Sequence, residues 1–565
     1  MNAKLWVFRD IDPSQRAILA QALSIAPATA SLLLARGVTT PDQATAWMSH
    51  QLSHDPFLIP DMERAVERLH RAVTTREPIC FYGDYDVDGI TATSLYLSFF
   101  SELGANVRAY VPHRLREGYG LNAHAIQRLH DVGISLLVTS DCGTTAHREV
   151  ALAARLGMDV IVTDHHQTDE RMPPAVAVLN PHRADARYPF PGLCSAALAY
   201  KMAQAYQLRY DQAGVPPESL LDLVALATIA DVVPLQDENR GFVREGLAQL
   251  SRGARCGVRA LKQVAGVTRD CTADTIAFKL APRLNAAGRL DDAMLGVRLL
   301  TTESSAEAQR MADQLELLNR ERQRIEAEIM DEALTLLKGQ ELLPALVLAS
   351  RHWHLGVVGI VASRLVERFH RPTIVVALND QGVGKGSART IGGFDLYQGL
   401  AACRDVVEAF GGHPSAAGVT VRESRLDEFR GRFCGLVARW AREGAITPTL
   451  HVDAELRLDE VNLQLIQEIS TLHPFGAGNP EPTFVVTRLE VMDARLVAEK
   501  HLKMTVRQAG SLPFDGIGFG MKSLVERGIP CRAPIDMAFT PTLNHWNGYD
   551  RIQLRIRDVR PSVIE

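Results

Sequence analysis

The sequence predicts an α/β protein of several domains: two α/β units joined by one long helix, with a small β-barrel near the C-terminus. Three observations predict this. Short apolar runs alternate with amphipathic segments from residue 78 to about 230, and again from 342 to about 440. Between them, one unbroken helical pattern runs from Ser304 to Leu337. From about residue 450 the helical period gives way to strand-like alternation. A chain of 565 residues provides for about three to five folding units of roughly 100–200 residues each.

Residues 1–60 read as a helical N-terminal segment, its short helices interrupted at Pro13, Pro27, Pro41 and Pro56. Residues 61–302 form the first α/β unit. Pro78-Ile79-Cys80-Phe81-Tyr82 is an apolar run and hence a buried strand. A Gly/Asp-rich turn follows, then a helix over Thr91–Leu103 ended by Gly104. Strand Val107–Val111, helix Asn122–Asp131, strand Ser135–Thr139, helix Thr145–Leu156 and strand Val160–Thr163 continue the alternation. Two more helices follow near Ser195–Tyr206 and Pro217–Ala230. This order predicts an open, mostly parallel sheet covered on both faces.

Residues 303–340 form the connector helix. Ser304 and Glu307 make a capping box, and Met311, Leu315, Leu318, Ile325, Ile329 and Leu336 recur at helical spacing. At 1.5 Å per residue the helix is roughly 50 Å long. Its stretch Leu317–Glu328 is dense in Arg and Glu, so much of it is expected to face water. Residues 341–445 form the second α/β unit, with strands Ala345–Ala349 and Thr373–Leu378, helix Val357–Phe369, and Gly-rich loops at 382–393 and 411–418. Residues 446–565 are mostly β. Ile535–His545 and Arg551–Val559 flank Trp546-Asn547-Gly548-Tyr549, a hairpin turn signal.

Composition excludes several classes. With 46% hydrophobic and 22% charged residues the chain is not mostly disordered. No apolar run reaches the roughly 18–20 residues that span a bilayer, and Met1–Asp10 lacks the pattern of a leader, so no membrane partner and a cytoplasmic location are expected. The net charge of −5 gives no chain-wide attraction for nucleic acid, so any polyanion site is local. Eight cysteines without a CxxC pair fit reduced, buried thiols rather than a zinc ribbon.

Chemistry concentrates at four places. Gly83-Asp84-Tyr85-Asp86-Val87-Asp88-Gly89 sets three carboxylates within five residues, between a strand and a helix. Carboxylates this crowded repel unless a cation compensates them. Asp141 follows the strand Leu136–Thr139, Asp164-His165-His166 follows Val160–Thr163, and Asp231 follows the apolar run Leu223–Ala230. In an open α/β sheet the carboxyl ends of neighbouring strands share one crevice. Asp84, Asp86, Asp88, Asp141, His165, His166 and Asp231 are therefore the candidate ligand set. Carboxylates with one or two imidazoles and no thiolate favour Mn²⁺ or Mg²⁺, and there are enough for two ions with Asp141 as a bridge. A lone Asp after a strand is more often structural; the coincidence at strand ends carries the inference.

These residues carry a resemblance. Asp164-His165-His166 is similar to the signature of the DHH phosphoesterases, and Asp84–Gly89, Asp141-Cys142-Gly143 and Asp231 resemble their other metal-binding motifs. Gly411-Gly412-His413-Pro414-Ser415-Ala416-Ala417-Gly418 resembles the glycine-rich motif of the associated DHHA1 domain. Pro282–Arg289, Trp353–Ala362 and Pro474–Pro480 resemble the bacterial RecJ branch, over about residues 50–565. The resemblance implies a DHH domain, a connector helix, a DHHA1 domain and an OB-like barrel. It also implies a 5′→3′ exonuclease specific for single-stranded DNA, acting in recombination and repair with single-strand-binding protein and helicases as partners. Many members of the family carry His where this chain has Tyr82, a poor ligand at neutral pH. Asp86 and Asp88 are therefore stronger candidates for direct ligation than Asp84.

Asp141, His165 and His166 are the expected catalytic set, His166 as either a supporting group or a proton donor to the leaving 3′-oxygen. By the resemblance, Ser387 and Arg389 in Gly384–Arg389 hold the 5′-terminal phosphate, with Arg114 as a third partner. Tyr119 is placed to stack on a base. Arg283, Asn285 and Arg289 are placed to touch the strand or the leaving nucleotide, and His354 and His413 sit where backbone approaches phosphate. In the C-terminal unit Lys503, Arg507, Trp546, Tyr549, Arg551, Arg555 and Arg557 mix cations with aromatics, as either a strand-binding or a solvated face. A monomer is expected. The alternatives are a DHH hydrolase of short oligonucleotides or cyclic dinucleotides, and a non-catalytic single-strand-binding scaffold.

Overall fold

The computed structural model describes residues 4–49, 53–211, 214, 216–442, 446–526, 533–546 and 549–562. They divide into two compact units. One is Leu52–Ala445 with Gly476–Gly478; the other joins Met1–Gln51 to Ile446–Phe475 and Asn479–Glu565.

The larger unit opens with a five-stranded, wholly parallel sheet. Its strands lie in the order Val107–Tyr110, Ile79–Gly83, Leu136–Ser140, Asp159–Thr163, Ala177–Leu179. Alternation along each strand divides the two faces. Ile79, Phe81, Leu136, Val138 and Ile161 point to one core, which the helices Val87–Glu102, Ser195–Tyr210 and Leu221–Ala230 cover. Cys80, Tyr82, Leu137, Val160 and Val162 point to the other, under Ala123–Asp131 and His147–Arg155. Burial on both faces is why the strands read as continuous apolar runs.

The helix Ser305–Leu337 follows, with Ser304 accepting a hydrogen bond from the Glu307 N–H at 3.3 Å. Its buried residues are Ala308, Ala312, Leu315, Asn319, Arg322, Glu326, Ile329 and Ala333, a three–four spacing that makes one seam. Most of the Arg/Glu-rich stretch faces water as expected, but the middle of the seam does not. Asn319, Arg322 and Glu326 are buried, because Arg322 donates to both Asn319 Oδ1 and Glu326 Oε2 at 2.5 Å and Glu326 also pairs with Arg364. Leu317 and Leu336, by contrast, are exposed.

The second sheet runs Ala409–Gly412, Ala416–Arg422, Val383–Arg389, Thr373–Leu378, Leu346–Ser350, and only its last pair is parallel. The two Gly-rich stretches expected as loops supply strands here. Val383–Arg389 is a central strand whose glycines are required by close packing: a Cβ on Gly384 would lie 2.5 Å from Val376 Cγ1. Helix Val358–Phe369 covers one face of this sheet and Leu426–Ala441 the other.

In the other unit, Phe484–Val497, His501–Arg507, Phe514–Gly518, Tyr549–Pro561 and Ile535–Trp546 pair in that order, and the first and last also pair, closing a five-stranded barrel. The last two strands form a hairpin with Trp546 opposite Tyr549; the turn residues Asn547 and Gly548 lie outside the described residues. The N-terminal residues belong to this unit. Strand Leu5–Phe8, unmarked in the sequence reading, pairs in parallel with Thr449–Val452. Ala28, Leu32, Leu33, Val38 and Ala44 share a core with barrel residues such as Phe484 and Phe539. Among the described residues no single helix is long and apolar enough to cross a membrane. The described cysteines are free thiols; Cys531 lies outside the described residues.

Candidate active site

Counted along the chain, the parallel sheet has the order 2-1-3-4-5. Its direction of winding reverses between Ile79–Gly83 and Leu136–Ser140, and ligands of such sheets bind outside the strand ends at that reversal. Asp84 leaves the first of these strands and Asp141 the second. The Asp84 N–H still donates to Ser140 O at 3.1 Å, so both carboxylates start from one fixed edge.

Each acidic side chain is held by its local backbone. Asp86 caps the helix Val87–Glu102, accepting from the N–H groups of Asp88 at 2.9 Å and Gly89 at 3.2 Å. A Cβ on Gly89 would lie 2.4 Å from Asp84 O, so only glycine lets the helix start there. Asp88 accepts from Ser195 N at 2.7 Å and Ala196 N at 2.8 Å, the first turn of helix Ser195–Tyr210. Asp141 stands at φ 66° and accepts from Ser195 Oγ at 3.3 Å. Asp231 ends the helix Leu221–Ala230.

These groups converge on His165. Its Nε2 lies 3.1 Å from Asp141 Oδ1, 3.5 Å from Asp231 Oδ2 and 3.6 Å from Asp88 Oδ2. Three overlapping sets could each hold a metal ion: Asp84 with Asp86 and Asp141, Asp88 with His165 and Asp231, and Asp141 with His165 and His166. Their electrostatics fit divalent cations. Burial and the neighbouring charges raise Asp84 and Asp141 well above the usual carboxylate range, Asp88 to about 6 and Asp231 to about 8. Burial and the charge of His166 push His165 down to about 3, leaving its imidazole neutral, the form that ligates. Asp84 Oδ1 is buried with no hydrogen-bond partner. An oxygen-rich set with one neutral imidazole suits Mn²⁺ or Mg²⁺.

His166 has a different environment. Its Nδ1 lies 2.7 Å from Asp164 Oδ1, and although burial opposes its charge, that hydrogen bond and the Asp164 charge raise it to about 9. Asp164 lies below the usual range despite burial, because His166 and the Thr144 N–H bind it. The sequence reading did not assign Asp164 a role, and nothing in sequence separates an acid that ligates from one that anchors a histidine. His413, from the second sheet's hairpin, stacks on His166 with ring centroids 6.0 Å apart.

A cluster of cationic side chains lies within the same unit. Ser387 and Arg389 alternate on one face of their strand, beside the first turn of helix Val358–Phe369: a Cβ on Gly359 would lie 3.2 Å from Ser387 Oγ and 3.4 Å from Arg389. Burial and the charges of Arg114, Arg322 and Arg389 push Arg289 down to about 10. Burial and Arg114 lower Arg389 and His354. The half-buried guanidinium groups of Arg114, Arg289 and Arg389 repel one another, a charge cluster that an anion would relieve. Arg289 is held by Gly356 O at 3.0 Å, and Arg114 stacks over Tyr85 at 4.8 Å. Arg322, on the connector helix, was not singled out in sequence.

Other candidates have structural partners. Arg283 pairs with Glu316 at 2.7 Å and Asn285 Oδ1 accepts from Val87 N at 3.2 Å, so both tie their helix to neighbouring elements. Tyr119 donates its hydroxyl to Asp141 O at 2.9 Å, and more than half of the residue stays exposed. Tyr82 is fully buried and its hydroxyl donates to Gly120 O at 2.9 Å, away from the acidic cluster. In the barrel Arg507 pairs with Glu490, and Arg555 and Arg557 both pair with Glu481; the side chains of Trp546 and Tyr549 lie outside the described residues.

Family models match the chain over residues 78–228 (DHH family, N-terminal domain), 342–438 (DHHA1 domain) and 452–558 (RecJ OB domain). The single-stranded-DNA-specific exonuclease RecJ of Bacillus subtilis is 38% identical over 99% of this chain and 71% of its own length. The crystal structure of Thermus thermophilus RecJ with Mn²⁺ superposes with a TM-score of 0.86 at 30% identity, covering 99% of this chain and 80% of that one. Its Mg²⁺ complex gives 0.80 at 28% identity, covering 99% and 79%.

Proposed function

This chain belongs to the RecJ family of DHH proteins, and from that premise we propose a mechanism for its residues. It is a single-stranded-DNA-specific exonuclease whose cofactor is Mn²⁺ or Mg²⁺. Digestion starts at the 5′ end and releases 5′-mononucleotides. Arg114, Ser387 and Arg389, with Arg289 and His354 beside them, hold the terminal phosphate by charge-assisted hydrogen bonds. Asp84, Asp86, Asp88, Asp141, His165 and Asp231 hold two ions, Asp141 between them. Two bound divalent ions supply a low-pKa water and positive charge opposite the phosphodiester under attack. His166, held in its protonated form by Asp164, donates from Nε2 to a phosphate or leaving oxygen, with His413 against its ring. The exposed face of Tyr119 takes a base by stacking. A groove that admits one strand and not a duplex accounts for strand selectivity.

The supporting observation is the meeting of Asp88, Asp141 and Asp231 within 3.6 Å of His165 Nε2. The test digests 5′-labelled and 3′-labelled single strands with Mn²⁺, Mg²⁺ or chelator. The expected result is release of label as mononucleotide from the 5′-labelled strand first, none in chelator, and none from Asp141→Ala. Cleavage that persists in Asp141→Ala, or a blunt duplex degraded as fast as a single strand, argues against this reading. A role in recombination and repair, a cytoplasmic location, a monomeric state, and single-strand-binding protein and helicases as partners complete the proposal. The free thiols and the DNA substrate support that location.

A further inference from the structure

The fifth strand of the parallel sheet, Ala177–Leu179, ends at Asn180, which is not among the metal-site candidates. Its side chain is fully buried and well supplied with partners. Nδ2 donates to Thr144 Oγ1 at 3.0 Å and to His166 O at 2.8 Å, and Oδ1 accepts from His182 N at 2.8 Å. The opposite amide orientation would set Oδ1 against the His166 carbonyl, so the partners fix the orientation.

The partners matter because they are already joined elsewhere. The Thr144 N–H donates to Asp164 Oδ2 at 3.0 Å, while Asp164 Oδ1 accepts from the His166 N–H at 3.1 Å and from Nδ1 at 2.7 Å. Asp164 thus bridges the loops after the third and fourth strands, and Asn180 bridges the same two loops from the fifth. The hydrogen bonds close a ring through Asn180, Thr144, Asp164 and His166. Without Asn180 the ring opens: Asp164 still holds the His166 imidazole and N–H, but the His166 carbonyl loses its anchor, and the peptide that sets the ring's direction gains freedom to tilt. An apolar side chain here would leave the His166 carbonyl and the His182 N–H without this partner, so the buried amide is there for its bonds. The tolerance for rotation is small, since His166 Nδ1 stands 3.8 Å from Asp141 Oδ1 and its ring lies nearly parallel to His413, 14° between the planes.

We propose that Asn180 is a positioning residue for the hydrolytic step: it fixes the His166 main chain so that the imidazole, held at Nδ1 by Asp164, presents Nε2 to the substrate phosphate. The inference rests on the reading of the strand-end cluster as the hydrolytic centre. Supporting groups around metal sites typically change activity by about 10–100-fold when lost.

The test uses the full chain with Mn²⁺ and a 5′-phosphorylated single strand. Asn180→Ala and Asn180→Asp are expected to lower kcat by about 10–100-fold with KM within about two-fold of the parent. Thr144→Ser keeps the hydroxyl and the rate; Thr144→Val loses part of it, and combined with Asn180→Ala adds little further loss. A second readout needs no turnover. In the metal-free, ¹⁵N-histidine-labelled protein, the His166 Nδ1–H signal shifts or broadens in both Asn180 variants, while that of His70 stays in place. An unchanged kcat in a folded Asn180 variant, a matching rise in KM, or an unmoved His166 signal overturns the proposal. If Asn180→Ala does not fold, Thr144→Val decides it, and a parental rate there overturns it. The parent chain separates the two readings. If it digests nothing, the hydrolytic centre itself is wrong. If it digests and the variants match it, only the role of Asn180 falls.

Discussion

Gly288 gives the sharpest steric test of the site. It lies in helix Ala281–Leu290 where that helix crosses the acidic turn. A Cβ at this position would lie 2.1 Å from Tyr85 O and 3.1 Å from Tyr85 C. Ordinary contact begins near 3.4 Å, so the shortfall is about 1.3 Å against backbone that has no rotamer to change. In Gly288→Ala the helix must therefore retreat by on the order of an ångström. It carries Asn285, bound to Val87 N at 3.2 Å, and Arg289, bound to Gly356 O at 3.0 Å, so the acidic turn loses its alignment with the loop before helix Val358–Phe369. Misplacement by about 1 Å costs roughly 100-fold in rate. Overpacking costs about 1–3 kcal/mol, which alanine's helix preference of about 1 kcal/mol partly offsets. The assay is kcat on a single strand at saturating Mn²⁺, beside a thermal melt. Gly431→Ala is the control: nothing lies within 4 Å of its Cβ position, so about 1 kcal/mol of stabilisation and an unchanged rate are expected. A parental kcat in Gly288→Ala, or an equal loss in both variants, refutes the steric reasoning.

Two further outcomes follow from the electrostatics. Without metal, Asp88 and Asp231 titrate near 6 and 8 in the folded chain against 3.8 when free, so folding retains protons that the unfolded chain releases. Their contribution to stability is full below about pH 4 and is lost as pH rises to about 8. In chelator at pH 8, Asp231→Asn should therefore have a higher urea midpoint than the parent, by a margin that narrows toward pH 5; a margin independent of pH defeats this account. Arg389→Ala should reduce the preference for 5′-phosphorylated over 5′-hydroxyl strands by about tenfold or more, as expected for a charge-assisted contact of about 1.5–3 kcal/mol. An unchanged rate ratio between the two strands removes Arg389 from the phosphate pocket.

Much of the site was legible because its acids directly follow apolar runs. Asp84, Asp141 and Asp164 each stand just past the last residues of a buried strand, and parallel strands bring such positions together without further information. The parallel sheet, and the strands Leu346–Ser350 and Thr373–Leu378 of the second, were legible for the same reason, since their apolar runs show no polar alternation. What escaped depends on partners far away in sequence. Arg322 and Glu326 look like surface charges until Asn319 and Arg364 are seen to satisfy them. Val383–Arg389 looks like a loop because its glycines lack strand preference, and only the Val376 side chain shows why they are needed. Asn180 looks like an ordinary turn residue after a short strand. Tyr119 was expected to stack on a base; its hydrogen bond to the Asp141 carbonyl had no signal in the sequence.

The parallel pairing of Leu5–Phe8 with Thr449–Val452 has a consequence for biosynthesis. Translation proceeds at about 5–20 residues per second, so the first strand emerges from the ribosome roughly 20–90 seconds before its mate. For that interval Leu32 and Leu33, which later sit at the centre of the barrel's core, have no permanent cover. Most of the larger unit, Leu52–Ala445, is therefore made before the smaller unit can close. A polypeptide cut short just after Ala445 carries a folded body and an uncovered segment around Leu32 and Leu33, a natural client for chaperones and proteases.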